Sequence, residues 1–170
     1  MQNDTLHNEN TIRLVHPGEF SEDTVQTPGS RRLGAIAQDR GIPSSMWGGL
    51  FTVPPGGQTA IHHHGKQDTV VYVLAGTALI RWGRRGEFSA TTAPGDFVFV
   101  PAYLPHKEIN PSDETEFRWV VVRSTPQPIV VNLPDDYWSG SDDINRSDEL
   151  SQLGSGRLLA GIQTCPTIQN

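Results

Sequence analysis

Three of the chain's six histidines are consecutive, His62-His63-His64. In an extended strand successive side chains point to opposite faces, so His62 and His64 share one face and His63 takes the other. Two imidazoles placed this way can chelate one divalent metal at about 2.0–2.1 Å. The same pair also occurs in polar loops whose histidines merely titrate near neutral pH, so its meaning depends on what positions it. Farther along, His106 is followed two residues later by Glu108, on the same face of any strand that contains both. A carboxylate there suits a general base or an orienting partner, and the plainer alternative is a rim carboxylate paired with Lys107. His7 and His16 lie in a polar N-terminal stretch and read as incidental.

The elements that must carry these residues are short strands. Seventeen glycines and 13 prolines in 170 residues disfavour a helical bundle and favour many turns. The segments WGGLFTV, TAIHHH, TVVYVLA, TALIRWG, EFSATTA, DFVFV, HKEIN and EFRWVVVRS are rich in β-branched and aromatic residues and bounded by Gly, Pro or Asp. About eight such strands at this spacing predict an antiparallel sandwich or barrel. Two further strands are expected at IRLV (12–15) and at 32–37. PIVVNLP (128–134) reads as another, exchanged with or packed on a partner. The chain divides into a polar N-terminal segment with a first strand (1–30), a barrel (31–135) and a C-terminal extension (136–170), with a short helix possible over 147–153. Trp47, Trp82, Trp119, Phe51, Phe97 and Phe99 read as barrel core, with Trp47 and Phe51 on one face. Arg81 and Arg118 would hold an anionic substrate if turned inward but read as outward salt bridges, and Arg31-Arg32 and Arg84-Arg85 read as solvated pairs.

Two ordered stretches give the histidines a context. GGQTAIHHHGKQDTVVYVLAG resembles the first motif of the cupins, and PGDFVFVPAYLPHKEIN resembles their second. The resemblance covers residues 45–125. It implies an all-β double-stranded β-helix, a jelly-roll barrel, with irregular N- and C-terminal extensions. It also implies that His62 and His64 are the paired ligands of the first motif, joined in the barrel by His106 from the second, around one divalent transition metal. The family's glutamate ligand has no counterpart here, because its slot falls on Thr69. Strand parity sets Gln67 on the face of Thr69, which favours Gln67 as fourth ligand, whereas charge favours Asp68, and the choice stays open. Imidazole-rich sites accept Fe, Ni, Cu, Zn or Mn, so the metal is unspecified. Tyr103, in the loop PAYLPH, would serve as a hydrogen-bond donor at the barrel mouth or as packing.

Composition narrows the partners. A net charge of −6 excludes the basic footprint of a nucleic-acid binder. No apolar run approaches the roughly 20 residues of a membrane helix. A single cysteine, Cys165, precludes an internal disulfide, and with the polar N-terminus it points to the cytoplasm. The expected ligand is a small organic molecule, and the expected assembly is a homodimer. The resemblance implies a metal-dependent enzyme, foremost an oxygen-dependent dioxygenase cleaving diketones, flavonols or related enolisable compounds. A non-redox isomerase, lyase or polyketide cyclase using the metal as Lewis acid is the alternative, and a metal- or metabolite-binding module without turnover is a third.

Overall fold

Alternation of buried and exposed residues along the strands builds the architecture. In the computed structural model, which describes residues 11–139, β2 (Trp47–Val53) buries Trp47, Gly49, Phe51 and Val53 and turns the residues between them outward. β4 (Thr69–Ala75) does the same with Thr69, Val71 and Val73, and β9 (Phe117–Arg123) with Phe117, Trp119, Val121 and Arg123. Together with β1 (Arg31–Ile36) and β7 (Phe97–Val100) they form one antiparallel sheet in the order β1-β2-β9-β4-β7. The second antiparallel sheet runs β10-β3-β8-β5-β6. Its strands are β3 (His62–His63), β5 (Ala78–Trp82), β6 (Phe88–Thr92), β8 (His106–Ile109) and β10 (Val131–Asn132).

The inner faces of the two sheets share one apolar core. Phe51, Phe117 and Trp119 pack with ring centroids 4.8–6.1 Å apart, beside Trp47, Val71, Val73 and Ile80. Two glycines are required by close approach. A Cβ on Gly49 would lie 2.5 Å from the Trp47 ring, and one on Gly76 (φ +74°) would lie 2.6 Å from the Glu116 carbonyl.

Several sequence expectations are corrected. Residues 12–15 are not a strand, and Ile12 is 95% exposed; a 3-10 turn follows at Pro17–Glu19. Phe97 and Phe99 are 75% and 62% exposed, and Val98 and Val100 face inward instead. A run of four apolar residues without a polar one carries no sign of which parity is buried. Within the PIVVNLP segment, Val131 lies opposite His63 and Asn132 opposite His62. Arg32 is buried, not solvated, whereas Arg31 is exposed and pairs with Glu22. Arg118 lies outside with Glu116, as expected, and Arg81 bonds the Gly86 carbonyl under Trp138. The expected helix over 147–153, Cys165 and His7 lie outside the described residues. Among the described residues no helix is long and apolar enough to cross a membrane.

Candidate metal centre

β3 and β8 deliver the histidines to one point. His62 sits directly opposite His106 in the antiparallel register, and His64 follows on the same face as His62. All three are buried, while His63, of opposite parity, is half-buried. Ring centroids lie 4.4 Å apart for His62–His106, 4.6 Å for His64–His106 and 5.2 Å for His62–His64. One ligand nitrogen from each ring falls within 4.8 Å of the other two.

Hydrogen bonds orient the rings. His62 Nδ1 lies 3.0 Å from the Ala60 carbonyl and His106 Nδ1 2.7 Å from the Leu104 carbonyl. A carbonyl only accepts, so each Nδ1 carries the proton and each Nε2 keeps its lone pair. His64 Nδ1 meets the Thr69 hydroxyl at 2.8 Å. Thus Thr69, standing in the family's glutamate slot, orients a ligand and is not one itself. Burial holds the imidazoles neutral: it pushes His62 down to about 3, His64 well below its ordinary value, and His106 down as well. Neutral, anchored imidazoles are the form a metal requires. The buried His106 Nε2 has no hydrogen-bond partner, as expected of a group that awaits a ligand. These residues fit a divalent metal held by His62, His64 and His106.

Glu108 enters the same space. Its Oε1 lies 3.6 Å from His106 Nε2, and its Oε2 accepts a 2.8 Å bond from the Thr59 hydroxyl. The Thr59 hydroxyl in turn accepts from the Glu108 amide at 3.0 Å, which locks the residue. Burial raises its affinity for protons, whereas the Thr59 bond and the Arg32 charge favour the carboxylate.

Two expected site residues are placed elsewhere. Gln67 is fully buried, but its amide nitrogen donates to the Thr125 hydroxyl and, at 2.7 Å, to the Gln127 carbonyl. Its oxygen accepts from the Ile129 amide at 2.5 Å. Both ends of the amide are engaged in holding the 125–129 segment. Asp68 accepts from the Ala102 amide at 3.1 Å. Tyr103 is exposed at the rim, its ring 6.0 Å from His63 on the far face, with a left-handed φ of 59°. It is not brought together with the imidazoles.

Two residues that sequence reasoning missed are Arg32 and Arg123. Each is 1% exposed, and both line the cavity that also contains His64, Thr69, Phe51 and Glu108. For Arg123 a signal existed, since it has the parity of Phe117, Trp119 and Val121 on β9. β1 offers no comparable apolar alternation around Arg32.

Residues 49–123 match the family model of the cupin domain. The barrel has the cupin fold. No curated protein matches the chain in sequence. Among solved structures, the chain resembles the polyketide cyclase RemF of Streptomyces resistomycificus (TM-score 0.60, 23% identity), covering 76% of this chain and 92% of that one. It also resembles a mutant form of the oxalate decarboxylase OxdC of Bacillus subtilis (TM-score 0.57, 20% identity, 65% and 30% covered). A formate complex of the Lactobacillus farciminis oxalate decarboxylase aligns with TM-score 0.59 and 17% identity over 69% and 35%. The chain therefore spans about a third of either decarboxylase. These neighbours are enzymes, and at such identities the likeness establishes the fold.

Proposed function

We propose that this protein is a metal-dependent enzyme that moves a proton on a small enolisable carbonyl compound, with Glu108 as the base. The observation that carries the reading is the position of the Glu108 carboxylate: Oε2 is fixed by Thr59 while Oε1 faces the imidazole cluster. A divalent metal bound by His62, His64 and His106 would supply Lewis-acid polarisation of a carbonyl oxygen. Glu108 would take the α-proton at Oε1 and return it elsewhere on the product, as isomerases, lyases and cyclases require. The apolar walls at Phe51, Val71 and Val121 would exclude water around the reacting carbons.

An oxygen-dependent dioxygenase is the second reading, favoured by the absence of a carboxylate from the Thr69 position. Solvent deuterium incorporation into 1,3-diketones, followed by NMR with metal-loaded protein, separates the two. Exchange that disappears in E108Q without oxygen uptake supports proton transfer. Oxygen uptake that persists in E108Q refutes it in favour of the dioxygenase. The homodimer is a proposal too, supported by an exposed apolar strip on the outer face of the first sheet: Val70, Tyr72, Leu74, Phe97 and Phe99.

A further inference from the structure

Arginine is rarely buried without a carboxylate beside it. Here two arginines enter one barrel from different strands, Arg32 from β1 and Arg123 from β9. Arg32 Nη1 donates to the Val25 carbonyl at 2.6 Å, and its guanidinium lies 5.2 Å from the Phe51 ring centroid. Arg123 Nη1 reaches the Ile129 carbonyl at 3.4 Å, and that segment is the one Gln67 holds in place. Neither guanidinium lies within ion-pair distance of a carboxylate among the described residues, and the buried Nε of each has no hydrogen-bond partner. Both line the cavity next to His64 and Glu108. Two cations against one anion leave this interior positive before any metal is added, with two N–H donors unanswered.

We propose that the compound bound in this barrel carries a carboxylate, which Arg32 and Arg123 hold beside the three imidazoles. A carboxylate presents two oxygens and can accept from both orphaned Nε–H groups while offsetting the excess positive charge. The inference rests on the enzymatic reading above for its setting and narrows the substrate class to carboxylated carbonyl compounds. Phe51, Val71, Val100, Trp119 and Val121 complete the lining, so the charged groups are flanked by apolar surface and the compound is small.

The test uses malonate as probe and malonamide as its neutral counterpart, on the full chain, metal-free and zinc-loaded, by calorimetry. Malonate is expected to bind the metal-free protein and malonamide is not. R32M and R123M should each weaken malonate by roughly tenfold or more, as loss of a charge-assisted contact does, and R118M should not. Because each arginine also braces a backbone carbonyl, the wild-type protein labelled with 15N-arginine gives a second readout. Two Nε–H resonances should shift on malonate saturation. Equal binding of malonate and malonamide, unchanged affinity in both folded variants, or unmoved Nε–H resonances would overturn the proposal. Loss of deuterium exchange with malonate binding intact would instead count against the proton-transfer reading alone.

Discussion

Replacing Gln67 by leucine separates a ligand from a brace. The substitution keeps the side-chain volume but removes hydrogen bonds to the Thr125 hydroxyl, the Gln127 carbonyl and the Ile129 amide. At about 1 kcal/mol net for each bond, the loss is about 3 kcal/mol, lessened if the freed groups of the 125–129 segment reach water. For a domain of this size that corresponds to a fall in Tm of about 10 °C. Denaturant unfolding and calorimetry measure this, and a zinc competition titration on the same sample measures the metal. The expected result is a clearly destabilised protein that still binds one zinc per chain, with affinity changed less than about tenfold. Unchanged stability together with loss of zinc would refute the reasoning and return Gln67 to the metal.

Other outcomes follow from the same geometry. T69V removes the hydroxyl at His64 Nδ1 and should weaken zinc by about 10- to 100-fold without changing the stoichiometry, read by competition titration. In the metal-free protein His62 is held down to about 3 by burial, whereas the unfolded chain takes up that proton near 6.5. Between these values the unfolded state binds more protons, so stability is full above pH 6.5 and declines as pH falls below it. His62 alone should lower urea-unfolding stability by about 2 kcal/mol from pH 6.5 to 5, and a flat profile would contradict its neutral burial. F97E together with F99E should convert a dimer to a monomer in sedimentation with zinc binding intact; wild-type protein that sediments as a monomer would dismiss the exposed strip as an interface.

Much of the fold was legible because the strands alternate. In WGGLFTV and FRWVVVR the largest apolar residues, Trp47, Phe51, Phe117 and Trp119, stand at alternate positions, and those positions face the core. Parity also set His62 and His64 on one face, and the second motif correctly implied His106 as their partner. Legibility failed where parity carries no polar marker, as in FVFV, or where a residue's partners are distant in sequence. Gln67 has the inward parity of a ligand, but the 125–129 segment, about 60 residues away, captures its amide. Arg32 looks like a surface charge in one dimension, whereas Arg123 shares the inward parity of Phe117, Trp119 and Val121 and was readable. Glu108 was readable from its spacing to His106, but its fixing by Thr59 depends on a pairing of strands far apart in the chain.

The central claim is that His62, His64 and His106 hold one metal ion through nitrogen. X-ray absorption of untagged protein loaded with one equivalent of zinc tests it most directly. The account predicts a first shell containing three imidazole nitrogens at about 2.0–2.1 Å, with the outer-shell scattering of imidazole rings. A first shell of oxygen alone, without imidazole scattering, would contradict it.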